Sequence, residues 1–175
     1  NDCLWLGTRN GLVRMIKRTG KFKTFYLPKE NQRIIYHLYI SKDGTLWIGT
    51  DDGLSYFDAT KETFHCYDRS NSWLVSSNGE KTRMPICSVK SILEDDNGDL
   101  LVGTWATGLL RLKKGSHTFL QYPNINKHNS AYSLFFDYRH RLWIGTWGYG
   151  VVCIDNPSDM KHPVMHQYPY QPRYF

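Results

Sequence analysis

Long apolar runs are absent from this sequence. None approaches the ~20 residues that a membrane-crossing helix needs, and no basic, apolar and small-residue leader opens the chain. Helical periodicity is missing as well: only short stretches such as 158–162 could hold a helical turn. Cysteine is scarce. Cys3, Cys66, Cys87 and Cys153 form no C-x-x-C pair, which excludes zinc-ribbon and thioredoxin chemistry. Cys66 and Cys153 fall inside apolar segments and read as small buried hydrophobes; no disulfide framework is suggested. Nucleophile elbows of the G-x-S-x-G type and phosphate-cradling G-x-x-x-x-G-K loops are also missing. His162 and His166 are separated by Pro163, which a helix interior does not tolerate. On a strand they would sit ~13 Å apart at ~3.3 Å per residue, too far to share an ion. Neither a metal nor a cofactor is expected. The chain begins with Asn rather than Met and is expected to be a processed product or a piece of a longer protein.

What the sequence does have is aromatic residues, 15% of the chain, set in short runs with Val and Ile between turn signals. That pattern argues for an all-β fold. One stretch recurs four times: Leu4-Trp5-Leu6-Gly7-Thr8, Leu46-Trp47-Ile48-Gly49-Thr50, Leu100-Leu101-Val102-Gly103-Thr104 and Leu142-Trp143-Ile144-Gly145-Thr146. Its glycines are spaced 49−7 = 42, 103−49 = 54 and 145−103 = 42 residues apart. A period near 42 suits the four-stranded blade of a β-propeller. Each full unit reads as four antiparallel strands, a to d, with the motif on strand b. Asp, Asn and Gly fill the turns, where positive φ is tolerated. Strand b is apolar on both faces, as stacked blades require and a sheet with one wet face does not. The blades are expected at 1–28, 33–68, 86–122 and 130–168, the first lacking its innermost strand. An insertion over 68–85, rich in Ser, Asn and Gly, is expected to be an exposed loop. The tail 169–175, with Pro169 and Pro172, makes a poor strand.

About four blades with one strand missing predict an open arc cut from a larger propeller of seven or eight blades. The alternative by count is a closed four-bladed ring. An open arc would expose Leu12, Val13 and Met15 at one end and Val151, Val152 and Ile154 at the other, favouring self-association or a homodimer. The +6 net charge is scattered, with Lys17-Arg18 and Lys113-Lys114 in turns, and no nucleic-acid partner is expected.

The pattern L-W-I-G-T-x-x-G-L, as in residues 46–54 and, with Val151 ending it, in residues 142–151, resembles the two-component regulator propeller repeat. The resemblance covers nearly the whole chain; Leu101 in place of Trp is a minor departure. It implies the extracytoplasmic, periplasmic sensor part of a bacterial hybrid two-component histidine kinase. In that family such propellers precede an immunoglobulin-like module, a membrane helix that anchors the parent chain, and the kinase. It also implies an oligosaccharide signal. The repeat is a scaffold, so no catalytic residue carries over.

Antiparallel strands place the b–c turns and d–a connectors on one face of the propeller. That face collects Arg9, Arg33, Trp105, Trp147 and Tyr149, the candidate ligand-binding residues. Sugar rings stack their C–H faces on Trp and Tyr while their hydroxyls need polar partners. An anionic oligosaccharide would suit the net charge. Trp105 and Trp147 share a register and could equally cap a boundary between blades. His37, Ser91 and Ser133 share a register on strand a, expected to face the channel, and form no acid–base pair. A ligand sensor is therefore the leading reading, with no enzyme activity in this segment. A protein-interaction scaffold and a propeller glycan-degrading enzyme are the alternatives.

Overall fold

A computed structural model describes residues 2–29 and 34–170. Strands β1 (Cys3–Thr8), β2 (Gly11–Ile16) and β3 (Phe22–Phe25) form a three-stranded first blade. The second blade holds β4 (Ile35–Ile40), β5 (Leu46–Thr50), β6 (Gly53–Asp58) and β7 (Thr63–Tyr67) in that order. A hairpin of β8 (Trp73–Val75) and β9 (Lys81–Arg83) follows. The third blade adds β10 (Val89–Glu94), β11 (Leu100–Thr104), β12 (Leu109–Leu112) and β13 (Thr118–Gln121). The fourth is β14 (Ser133–Phe136), β15 (Leu142–Gly145), β16 (Val151–Ile154) and β17 (Met165–Tyr168). No helix is found among the described residues.

The insertion is not a loop. β8 pairs in parallel with β13, Leu74 opposite Phe119, and the hairpin widens the third blade to six strands. Leu74 is buried with Met84 and Cys87 in the cluster between the second and third blades. Burial pushes the Cys87 thiol up to about 12. Ser, Asn and Gly are confined to the ends of the hairpin; the apolar Trp73-Leu74-Val75 run between them is what pairs.

The motif's residues divide between two interfaces. Trp5 packs toward the second blade with Leu12, Phe25 and Phe57, and Trp47 packs toward the third with Tyr67 and Val89. Leu101 is buried between the third and fourth. The flanking residues face the other way: Leu46 and Ile48 meet the first blade, Leu142 and Ile144 the third. The motif glycine lies where the next blade's innermost segment comes closest. A Cβ at Gly49 would lie 2.7 Å from Val89, and one at Gly103 would lie 2.7 Å from the Ala131 carbonyl. Gly145 meets only Ser133 of its own blade, at 2.3 Å.

The two end blades are consequently half covered, and the sheets form an open arc. Leu4 and Leu6 occupy the positions of Leu46 and Ile48, yet Leu6 is 39% exposed where Ile48 is 0%. Phe135, Trp143 and Cys153 are neighbours on the outward face of the fourth blade, where Phe135 is exposed. The expected list of exposed end residues needs correction. Leu12, Val152 and Ile154 are buried against neighbouring blades, because alternate residues on each strand point inward. Val13 and Met15 are half-buried and Val151 is exposed. The reading of the tail 169–175 as a poor strand falls largely on residues 171–175, outside those described.

His37, Ser91 and Ser133 do share a register, opposite Gly49, Gly103 and Gly145. They do not line the channel. Cross-strand partners point to one side of a sheet, so these side chains lie over the motif glycines, facing the next blade. The His37 Nδ1 accepts a hydrogen bond from the Ile92 N–H at 3.2 Å, and burial lowers its pKa. On the opposite face of the arc, Arg111 ties the third blade to the fourth. It binds Asp95 at 2.8 Å and the Pro157 carbonyl at 3.3 Å, and the Tyr122 hydroxyl donates to the same carbonyl.

Candidate functional site

The b–c turns are built alike in all four blades. The motif threonine, at 8, 50, 104 and 146, donates its hydroxyl to the carbonyl of the glycine at 11, 53, 108 and 150, at 2.8–3.0 Å. The residue after each threonine is thereby presented at the rim of one face. In the first two blades it is Arg9 and Asp51; in the last two it is Trp105 and Trp147. Ala106 follows Trp105 at φ 74°, in the left-handed region.

The connector from 123 to 132 supplies the rest. Asn126 folds it: its side-chain oxygen accepts from the His128 and Ser130 amides at 3.0 and 3.3 Å, and its amide donates to the Ser130 carbonyl at 2.9 Å. The buried Ser130 hydroxyl in turn accepts from the Trp147 N–H at 3.4 Å. The Ala131 N–H donates to the Thr104 carbonyl, joining the connector to the third blade.

Between these segments opens a cleft of about 490 Å³, lined by Trp105, Trp147, Tyr149, His128 and Ser130 and completed by Ala106 and Gly148. Its volume suits a small ligand. Trp105, Trp147 and Tyr132 touch one another, with ring centroids 5.4–6.3 Å apart. The rings meet edge to face or tilted, at 40–76°, and form a platform that offers outward faces. Trp147 is 60% exposed. His128 leans on Tyr149 at 4.8 Å. Among the described residues no carboxylate lines the cleft. Among the described residues no three His, Cys, Asp or Glu side chains are placed to hold a metal.

Of the five residues singled out in the sequence, the cleft gathers Trp105, Trp147 and Tyr149. Arg9 is exposed on the same face but outside the cleft, on the first blade. Arg33 lies outside the described residues. His128, Ser130 and Tyr132 were not singled out, although their connector was assigned to this face. Tyr132 had a legible signal: it precedes Ser133, whose register was recognised. The two tryptophans also cap the boundary between the third and fourth blades, so platform and cap are the same residues.

Two stretches, residues 29–52 and 127–148, match the family model described as Two component regulator propeller. Each runs from a d–a connector through strands a and b into a b–c turn. These stretches are two-component regulator propeller repeats. The second repeat carries His128, Ser130 and Trp147 of the cleft, and Tyr132 beside it.

Solved structures of similar fold include the extracellular domain of a putative hybrid two component system from B. thetaiotaomicron, 24% identical with a TM-score of 0.63 over 86% of this chain. This chain spans 18% of that one. A streptogramin B lyase is 17% identical with a TM-score of 0.70, and this chain covers 51% of it. PorZ of Porphyromonas gingivalis, described as a surface component of the type-IX secretion system, is 19% identical with a TM-score of 0.59 over 82% of this chain and 22% of its own. At these identities the likeness is one of fold. No curated protein matches the sequence. No helix among the described residues is long and apolar enough to cross a membrane.

Proposed function

We propose that this chain is part of the ligand-sensing region of a hybrid two-component sensor histidine kinase, and that it binds an oligosaccharide on the Trp105–Trp147 platform. The observation that carries the reading is that platform: exposed, mutually braced indoles beside Ser130 and His128, built largely from a regulator propeller repeat. Stacked C–H faces and flanking hydrogen bonds are the chemistry a sugar offers. In such a protein the propeller would lie outside the cytoplasm, on the periplasmic side, with the parent chain anchored in the membrane. The likeness to an extracellular domain of a hybrid two component system supports that placement.

Catalysis in this segment is not part of the proposal. Lyases share the fold, but general acid–base chemistry needs a positioned acid and base. Among the described residues His128 is the imidazole of the cleft, and no carboxylate lines the cleft beside it. Titration calorimetry with a panel of neutral and acidic oligosaccharides tests the reading. Trp147→Ala is expected to weaken binding of the recognised sugar by about 1 kcal/mol or more, the scale of an aromatic contact. Unchanged affinity in the triple variant Trp105→Ala, Trp147→Ala, Tyr149→Ala would place the site elsewhere.

A further inference from the structure

Beside the cleft, the innermost strands carry a feature the repeat pattern alone does not announce. β4 shifts register against β5 between Ile35 and His37, and β10 shifts against β11 between Val89 and Ser91. The extra residues are Tyr36 and Lys90. A bulge leaves its added residue unpaired and re-aims the side chain. Tyr132 holds the equivalent place in the fourth blade, just before Ser133, the partner of Gly145.

These side chains converge. The Lys90 ammonium lies 3.1 Å from the centre of the Tyr36 ring. The Asp51 carboxylate beside Tyr36 raises its phenol above the ordinary pKa, with Tyr132, two blades on, adding to the shift and Arg9, one blade back, opposing it. Groups from four successive blades meet only where the blades come together, at the mouth of the propeller axis. Tyr132 touches Trp105 and Trp147, so this mouth is continuous with the aromatic platform.

Its charge is uneven. Arg9 and Lys90 bring two cations; Asp51 brings one carboxylate, already engaged by Tyr36 and by the Ser88 hydroxyl at 3.3 Å. Among the described residues neither cation is in an ion pair. Lys90 is half-buried. Burial holds its pKa below the ordinary lysine value, with Asp51 opposing. A partly desolvated ammonium short of an anion gains more from one than a fully hydrated lysine does.

We propose that the axis mouth is the anion-recognising end of the aromatic platform, with Lys90 as the contact and Arg9 as a supporting cation, and that the oligosaccharide recognised is acidic. The stacked sugar lies on Trp105 and Trp147, and its neighbour presents a carboxylate or sulfate ester to Lys90. This rests on the platform reading above and adds the ligand's charge class.

Titration calorimetry with tetragalacturonate, a sulfated galactan tetrasaccharide and neutral galactotetraose separates the two claims. The wild-type chain is expected to bind an acidic probe at least about tenfold more tightly than the neutral one, as a charge-assisted hydrogen bond provides. Whichever acidic probe is preferred identifies carboxylate or sulfate as the group. Lys90→Gln removes the preference, Lys90→Arg retains it, and thermal melts confirm that both variants fold. Trp147→Ala weakens all three probes alike. A preference that survives Lys90→Gln, or equal wild-type affinity for charged and neutral probes, overturns the anion assignment while leaving the platform. Indifference to Trp147→Ala with the Lys90 effect intact overturns the platform alone. Absence of binding by all three probes overturns both.

Discussion

A histidine buried as a hydrogen-bond acceptor makes stability depend on pH in a definite direction. His37 is held neutral between the second and third blades, its Nδ1 accepting from the Ile92 amide. Its folded-state pKa lies below the ordinary value of 6.5. The unfolded chain therefore takes up the proton first. The stability contributed is whole above the ordinary value and is lost as the pH falls from there through the folded pKa. Melting temperature is expected to fall as the pH drops below the ordinary histidine value of 6.5, and His37→Gln, which keeps an acceptor, is expected to flatten that dependence. Asp68, held at about 2 by Lys29 and Ser70, titrates below this window. Asp43 and Asp137, anchored in tight turns, are also held well below the usual carboxylate range. The shared register of His37, Ser91 and Ser133 was legible from the repeat. Their direction was not, because a four-stranded unit written as a sequence does not say which side of strand a meets the next blade. The same limit hid Lys90: a bulge is one residue of misregister between strands, which no single strand records.

At the scale of elements, the motif was legible because it is constrained from several sides at once. Trp47 and Ile48 face opposite blades, Gly49 admits Val89, and Thr50 closes the turn. Four copies of such a stretch stand out in any reading of the chain. The β8–β9 hairpin was not legible. Strands of three residues carry no usable periodicity, and their turn residues outweigh them in composition. Trp73 is half-buried between strands, with Arg83 and Lys81 lying over its indole at 3.9 and 4.9 Å. Those cations sit on the exposed outer edge of the blade, where charge discourages further strands from adding. The hairpin belongs to the core rather than decorating it. Leu74→Ala is therefore expected to destabilise the chain by about 2–4 kcal/mol in urea unfolding, as truncation of a buried leucine does. A change typical of an exposed loop, within about 0.5 kcal/mol, would mean that the hairpin is peripheral.

For the whole molecule, the arc and its two unequal ends follow from one rule, that each blade completes the face of the one before it. Among the described residues, Trp143 and Gly145 face no further blade, and neither do Leu4 and Leu6 at the other end. The repeat spacing made an open arc legible; which residues it uncovers had to come from the strand pairings. Exposed apolar faces of this kind promote association. The isolated chain is expected to run larger than a monomer in light scattering, and paired charges at the ends, Leu6→Lys with Phe135→Lys, are expected to restore monomers. A monodisperse monomer without those substitutions would show that the exposed faces are too small or too wet to pair.

The parallel contact between β8 and β13 has a consequence for a broken chain. Blade three is strapped by a strand that precedes it in sequence and pairs with its last strand, with Leu74 opposite Phe119. The link between the hairpin and β10 passes through the exposed Ile86. A protease that cuts there separates the covalent chain into two pieces but leaves the strap in place. The amino-terminal piece stays threaded against the carboxy-terminal one by backbone hydrogen bonds and by the cluster around Leu74, Met84 and Phe119. A nick at this exposed joint thus yields a two-fragment complex rather than two free halves.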